Sequence, residues 1–102
     1  MKLNKKTTPL VSVIMNCHNG EKYLRESINS VMSQSYKNWE LIFWDNNSND
    51  NSKKVLLNFK DKRIKYFYSK SFLNLYHARN LAIKKSKGKY ISFLDTDDTW
   101  NK

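Results

Sequence analysis

Two short apolar runs, at residues 10–15 and 39–44, each end abruptly in a cluster of polar side chains. Both runs are almost continuously apolar and rich in β-branched or aromatic residues, which is typical of strands covered on both faces. Two further runs of similar length lie at residues 64–68 and 90–94. Strands of this kind need packed layers on both sides, so we predict a buried sheet inside an α/β domain.

Between the first two strands lies an amphipathic helix, predicted from Glu21 to about Gln34. We expect Asn19 to cap it, because a short polar side chain at that point can accept a free backbone N–H. Its apolar residues recur at the i, i+4, i+7 and i+8 spacing of one helix face. They are Leu24, Ile28, Val31 and Met32.

Two more helical segments separate the remaining strands. The second is predicted to be capped by Ser48 or Asp50 and to end near Phe59. The third is predicted over residues 75–87, with Gly88 after it as a left-handed C-cap. Its buried side is predicted to carry Leu75, Ala78, Leu81 and Ala82.

The predicted order is therefore β-α-β-α-β-α-β, and each connection is long enough for a right-handed crossover between parallel strands. The fold class is α/β, Rossmann-like, with a mostly parallel sheet. Ligands bind such sheets beyond the carboxyl ends of the strands. The loops after the first, second and fourth strands carry the polar residues expected to meet there. They are Asn16, His18, Asp45, Asn46, Asp95, Asp97 and Asp98.

The loop after the fourth strand places three carboxylates within four residues. Such neighbours repel each other, so the cluster either stays solvated or holds a cation. In an extended segment Asp95 and Asp97 lie on one side, where their oxygens suit Mg²⁺ or Mn²⁺. The alternative is a solvated turn that caps a following helix. Convergence with the other polar loops favours a ligand site, because four of the nine acidic residues of a basic chain gather at this edge.

Composition bounds the remaining choices. With 102 residues and 39% hydrophobic content, we expect one domain at residues 10–102 after a polar tail at residues 1–9. The net charge of +10 suits anionic partners and is compatible with peripheral association at a membrane surface. The lysines are scattered, however, and no aromatic RNA-binding signature accompanies them, so nucleic acid is not expected as a partner.

Cysteine and glycine usage exclude several kinds of site. Cys17 is the only cysteine, so a disulfide framework or a multi-thiolate metal site is excluded within this chain, and we interpret it as a small buried filler. With two glycines, neither a dinucleotide fingerprint nor a P-loop is present. No signal peptide or membrane span is predicted. We expect a cytoplasmic protein, and a position at the inner face of the cell membrane is compatible with this.

Six blocks of residues, in order and spacing, resemble the amino-terminal half of family 2 glycosyltransferases of the GT-A fold. The resemblance extends from about Leu10 to Trp100 and agrees with the fold predicted from periodicity. The blocks lie at residues 11–14, 19–24, 30–36, 44–50, 78–82 and 93–98. Trp100 is expected to be a packing anchor for the acidic loop.

The resemblance implies a hexosyltransferase, usually inverting, that takes sugar from a nucleoside-diphosphate donor, most often UDP-linked, with a divalent cation as cofactor. The acceptor implied is a glycan or a lipid-linked glycan. Asn16 and His18 correspond to a loop that meets the base, and Asp45 with Asn46 to an acidic pair that contacts base and ribose. Three further roles are implied by the positions of residues in the family pattern. Arg79 is implied to lie near the nucleotide, Asp95 to bind ribose and metal, and Asp97 to bind metal.

Three departures from that pattern matter. The second acid of the pair is Asn46, whose amide donates as well as accepts, and His18 stands where a tyrosine is common. No catalytic base can be assigned; it is expected beyond Lys102, so we expect a truncated domain that is inactive in isolation. Two other hypotheses stay open: a non-catalytic nucleotide-sugar-binding module acting with a partner chain, and a basic binder of nucleic acid or membrane surfaces. Carboxylates at the binding edge argue against the last, because they repel phosphates unless a metal intervenes.

Overall fold

The computed structural model describes residues 8–100, which form strands and helices in strict alternation. Most of the predicted tail at residues 1–9 lies outside the described residues. Each helix ends two or three residues earlier than predicted, and the strand positions agree to within two residues. The elements are β1 Val11–Cys17, α1 Glu21–Met32, β2 Trp39–Asp45, α2 Ser52–Leu57, β3 Ile64–Tyr68, α3 Leu75–Lys84 and β4 Tyr90–Phe93.

The strands form one sheet in the order β3-β2-β1-β4, and every pair is parallel. This confirms the predicted α/β class, and it places β1 between β2 and β4. The register aligns the carboxyl ends of the strands: Cys17 lies opposite Asp45, and Ile14 lies opposite Phe93. The loops that follow β1, β2 and β4 are therefore neighbours at one edge.

The continuous apolar runs of β1 and β2 are explained by layers on both faces of the sheet. Alternate residues point to opposite faces of a strand, so neighbours such as Val13 and Ile14 enter different cores. One core lies beneath α1 and α2, and the other beneath α3, where Ile14 and Ile42 meet Ala78 and Ala82. Within residues 8–100, no helix has the length and apolar character needed to cross a membrane.

The start of α1 corrects the predicted role of Asn19. The helix begins at Glu21 as expected, but its N-cap is Gly20 and no side chain caps it. Asn19 instead adopts a left-handed backbone with φ 53°, and its side-chain oxygen accepts the N–H of Asn49 at 2.8 Å. Asn19 therefore joins two loops rather than capping the start of α1, because its side chain reaches across to the loop after β2.

Asp50 supports the starts of two helices. One carboxylate oxygen accepts the N–H of Glu21 in α1 at 3.1 Å, and the other accepts the N–H of Ser52 in α2 at 2.9 Å. Asp50 therefore satisfies free N–H groups as predicted, although the N-cap residue of α2 is Asn51. Ser48 does not cap α2; its hydroxyl accepts the backbone N–H of Asn19 at 2.9 Å.

Gly88 has a different role from the predicted left-handed C-cap. Helix α3 ends at Lys84 with a right-handed C-cap at Lys85, and neither glycine has a positive φ. The N–H of Gly88 donates to the hydroxyl of Ser12 at 2.8 Å. A Cβ at this position would meet that hydroxyl, and would lie 2.7 Å from Ser12 N and 2.8 Å from Leu10 O. Only glycine fits at position 88 without a shift, because the backbone there lies so close to β1.

We expect Gly88→Ala to lower the free energy of unfolding by about 2 kcal/mol, because the added methyl group meets fixed backbone atoms. The matched control is Gly20→Ala, whose Cβ would meet side-chain atoms, with Thr96 Oγ1 at 2.8 Å and Cys17 Sγ at 3.1 Å. Urea unfolding of both variants measures the difference. A Gly88→Ala loss no larger than that of the control would contradict this explanation.

Candidate functional site

The polar loops after β1, β2 and β4 meet at the carboxyl edge of the sheet. Backbone bonds hold them in place: the N–H of Asn46 donates to Cys17 O at 2.7 Å, and the N–H of Leu94 donates to Ile14 O at 3.1 Å. Because β1 lies between β2 and β4, side chains from all three loops border the same surface. The structure thus places the predicted site residues either at the carboxyl ends of β1 and β2, as for Asn16 and Asp45, or in the loops that follow the strands, except Arg79, which lies on α3.

Asp45, the last residue of β2, is fully buried and has partners on both oxygens. One oxygen accepts the N–H of Ser48 at 2.9 Å, and the other accepts the hydroxyl of Tyr66 at 2.6 Å. Burial raises the pKa of Tyr66 well above its ordinary value, and the bond to Asp45 raises it further. In this structure Asp45 fixes the first turn of the loop that follows β2.

Asn46 is also buried, and its amide is occupied on both sides by one backbone position. Its Nδ2 donates to Leu73 O at 2.7 Å, while its Oδ1 accepts Leu73 N–H at 3.0 Å. Its carbonyl lies 2.8 Å from His18 Nδ1, which must be the donor because a carbonyl only accepts. Direct contact of Asp45 and Asn46 with base and ribose stays a prediction, and it requires them to exchange these protein partners for the ligand.

A cavity of about 150 Å³ opens between the loops after β1, β2 and β3. The Oδ1 of Asn16 is buried and has no hydrogen-bond partner among the described residues, which leaves an acceptor available at this position. Cys17 is buried, as expected of a small filler, and burial raises the pKa of its thiol. The lining residues are Asn16, Cys17, His18, Asn46, Phe72, Leu73 and Leu75.

The acidic loop after β4 is anchored from inside by a serine that the sequence interpretation missed. The hydroxyl of Ser27, on α1, is within hydrogen-bond reach of Thr96 O at 2.8 Å and also contacts the carbonyls of Asp95 and Asp98. Further along, the N–H of Trp100 donates to Ser30 Oγ at 3.0 Å and its side chain packs on the core, as predicted. The backbone of this loop is therefore held at several points.

The carboxylates of the acidic loop are exposed, in contrast to its anchored backbone. Of these carboxylates, that of Asp95 lies closest to a basic side chain: its Oδ1 is 3.8 Å from Arg79 Nη2. The Asp95 side chain is 65% exposed. The guanidinium of Arg79 also lies 5.0 Å from the centre of the Phe93 ring. A second cavity, of about 380 Å³, runs from Asp97 towards Lys22 and the loop after β1.

The donor set suits a divalent cation that arrives with a ligand. Within residues 8–100, no group of three or more His, Cys, Asp or Glu side chains is arranged as a metal site. Asp95 and Asp97 nevertheless offer exposed, hard oxygen donors two residues apart. Mg²⁺ is commonly bound through one or two carboxylates together with substrate phosphates and water, so two carboxylates fit a metal shared with a diphosphate.

Comparison with known proteins identifies relatives over almost the whole chain. The model of the family "Glycosyl transferase family 2" matches residues 12–102. The chain is 44% identical over 91 residues to the UDP-Glc:alpha-D-GlcNAc-diphosphoundecaprenol beta-1,3-glucosyltransferase WfgD of Escherichia coli. This alignment covers 89% of this chain and 36% of WfgD. It is 38% identical over 96 residues to the putative teichuronic acid biosynthesis glycosyltransferase TuaG of Bacillus subtilis. This alignment covers 92% of this chain and 38% of TuaG.

A solved structure with the same fold is that of TarS from S. aureus in complex with UDP-GlcNAc. It matches 87% of this chain and 27% of the TarS chain with a TM-score of 0.81 and 27% identity. The four-strand parallel sheet with interleaved helices thus corresponds to part of a GT-A structure. This chain spans little more than a third of the length of the two curated relatives.

Proposed function

The chain belongs to glycosyl transferase family 2, and we propose that it is the part of a glycosyltransferase that binds the nucleoside-diphosphate sugar donor. The observation that carries the proposal is the meeting of three loops at one sheet edge: a cavity with a free acceptor and a second cavity that reaches the exposed Asp97 are both lined by His18. A nucleotide sugar has matching parts: a flat base with N–H groups, and a diphosphate that needs a cation beside carboxylates. We propose UDP as the nucleotide to test first.

We propose that Asp95 and Asp97 hold a divalent metal, Mg²⁺ or Mn²⁺, together with the diphosphate. When bound, such a metal neutralises negative charge on the leaving diphosphate. Ser27 fixes the backbone of this loop, so the carboxylates are presented from a defined position. Arg79 lies near Asp95 and adds a positive charge, which limits repulsion between the acidic loop and the phosphates.

At the other end of the ligand, we propose that the base lies against the cavity bordered by Asn16 and His18. The unpartnered Asn16 Oδ1 suits an N–H of the base, such as the ring N–H of uracil. Asp45 and Asn46 are proposed to shape this end by fixing the loops around it, with direct contact only if their present partners are released. Asp95 is proposed to reach ribose as well as metal.

For the whole protein we propose transfer of a hexose, with inversion, to a glycan or lipid-linked acceptor. Relatives support the acceptor class, since WfgD is named for a diphosphoundecaprenol-linked substrate and TuaG for teichuronic acid biosynthesis. A cytoplasmic position at the inner face of the membrane is proposed on the same ground. No described residue is assigned as the base that deprotonates the acceptor.

The alternative, a donor-binding module that works with a partner chain, requires an uncovered surface for that partner. β4 is an edge strand of the described sheet, and Tyr90, Ile91 and Phe93 are 41–55% exposed along it. A partner chain or further strands of the same protein would cover this apolar edge. We expect the 102-residue chain alone to show no sugar transfer in an assay with radiolabelled UDP-glucose, and robust transfer by it would contradict the proposal that the chain is only part of the enzyme and inactive in isolation.

UDP with Mn²⁺ is expected to stabilise this chain against unfolding. A ligand at 100 times its dissociation constant adds about 2.7 kcal/mol to the free energy of unfolding, which a thermal-shift measurement detects. Uridine, which lacks the diphosphate, is the matched control and should give a much smaller shift. If no nucleoside diphosphate shifts the unfolding temperature at saturating concentration, the proposed function is wrong.

A further inference from the structure

The loop at residues 69–74 is anchored to the loop after β2 at several backbone positions. Ser69 N–H donates to Asp45 O at 2.9 Å, and Asn47 Nδ2 donates to Lys70 O at 3.0 Å. The amide of Asn46 then holds both the N–H and the carbonyl of Leu73. Phe72 is the residue just before this last anchor, so its backbone position is set from both sides.

The side chain of Phe72 lies at the mouth of the cavity and is 60% exposed. Its ring centre lies 4.6 Å from that of His18, with 67° between the planes, an edge-to-face contact. The imidazole of His18 is itself fixed by its bond to the carbonyl of Asn46. A single exposed phenylalanine needs no explanation, but this one lies in an anchored loop and lines the same cavity as the unpartnered acceptor of Asn16.

We propose that Phe72 is a contact residue for the nucleobase, which stacks on the exposed face of its ring. This inference rests on the proposed function and adds a residue that the family resemblance did not indicate. The rings of Phe72 and His18 already touch, so the base lies on Phe72 rather than between the two. His18 packs against the ring and helps to hold it in place.

The arrangement also predicts how selective the site is. The amide of Asn46 is hydrogen-bonded to the backbone of Leu73. Fewer hydrogen-bonding groups therefore remain to distinguish the edge of one base from that of another. Stacking on an aromatic ring tolerates every base, because each has a π-face. We therefore expect Phe72 to strengthen the binding of UDP and GDP by similar factors.

The test uses calorimetric titration of this chain with UDP and, separately, with inorganic pyrophosphate, both in Mn²⁺. Phe72→Ala should weaken UDP binding by about 5- to 150-fold, the range found when a stacking aromatic is removed. Its affinity for pyrophosphate, which has no base, should stay within about twofold of the unsubstituted protein. Phe72→Tyr keeps the ring and should restore UDP affinity. Tyr76→Ala is the matched control, because Tyr76 is 79% exposed and does not line the cavity.

The outcomes separate this inference from the proposed function. Equal UDP affinity in Phe72→Ala and the unsubstituted protein would overturn the stacking role while leaving nucleotide binding intact. An equal loss for UDP and pyrophosphate would also overturn it, since the substitution would then act on the phosphate end. Absence of binding of any nucleoside diphosphate to the unsubstituted protein would overturn both. Circular dichroism of each variant checks that the exposed substitution leaves the fold unchanged.

Discussion

Asp97→Asn is expected to weaken UDP binding in the presence of Mn²⁺ by about 100-fold or more. Loss of a group that only supports a metal ligand costs 10- to 100-fold in metal affinity, and loss of a ligand should cost at least as much. The diphosphate approaches three carboxylates, so its affinity depends on the cation that bridges them. In EDTA the same substitution should leave UDP affinity unchanged or slightly better, because one repulsive charge is gone.

Calorimetric titrations of UDP into Asp97→Asn and Asp98→Asn, in Mn²⁺ and in EDTA, measure these effects. Asp98→Asn is the matched control: it removes the same charge from an exposed neighbour that is not proposed as a metal ligand. Its effect should be clearly smaller. Equal UDP affinity of the unsubstituted protein in Mn²⁺ and EDTA would mean that the acidic loop is a solvated turn.

The second large effect is expected at Glu40, a buried carboxylate near the amino ends of the strands. Its Oε1 accepts a hydrogen bond from the ammonium group of Lys65 at 2.9 Å. Its Oε2 accepts the hydroxyl of Ser12 and the N–H of Lys87, each at 2.6 Å. Every partner is a donor, so the group joins β1, β2, β3 and the segment before β4 through its two acceptor oxygens.

Glu40→Gln is expected to lower the free energy of unfolding at pH 7 by about 3 kcal/mol. The amide would set a donor against groups that are themselves donors, and the charge opposite Lys65 would be lost. Glu26→Gln makes the same chemical change at an exposed position of α1 and should cost less than about 0.5 kcal/mol. Urea unfolding compares the two, and equal losses would contradict the role of the buried network.

The same network predicts a dependence of stability on acid. Burial acts to raise the pKa of Glu40, but hydrogen bonds from Lys65, Ser12 and Lys87 outweigh it, so the pKa lies below its ordinary value of 4.5. A lowered pKa stabilises the folded state fully above the ordinary value, and the contribution is lost as pH falls through the folded pKa. Between about pH 5 and 3, stability should therefore fall more steeply in the unsubstituted protein than in Glu40→Gln.

The strands were predictable because burial on both faces leaves continuous apolar runs such as residues 39–44, and the order of the elements followed from their alternation. The fold class and the gathering of polar loops at one edge could both be derived from this pattern. Local propensity was a weaker guide at helix ends. Asn19 and Ser48 looked like caps, but they bond to each other's loops, and only tertiary structure decides between those partners.

The details of the site depend on contacts between residues far apart in the chain. Ser27 holds carbonyls about seventy residues away, and nothing in its helical surroundings indicates that role. The hydrogen bond between the Asn46 amide and Leu73 could not be predicted, because it forms only when the loop at residues 69–74 returns to the same edge of the sheet. Phe72 left one signal, an aromatic residue in a short loop that is otherwise mostly polar. Gly88 likewise followed a helix, while its true constraint comes from β1.

The central claim is that a nucleoside diphosphate and a divalent cation bind together at the carboxyl edge of the sheet. Mn²⁺ is paramagnetic and broadens the amide signals of nearby residues in a ¹H–¹⁵N NMR spectrum. With UDP and Mn²⁺ together, we expect selective broadening at residues 95–98, at Arg79 and at residues 16–20, with residues 36–40 at the opposite end unaffected. Mg²⁺ in place of Mn²⁺ is the diamagnetic control. Broadening centred on residues 36–40, or none when both ligands are present, would contradict the account.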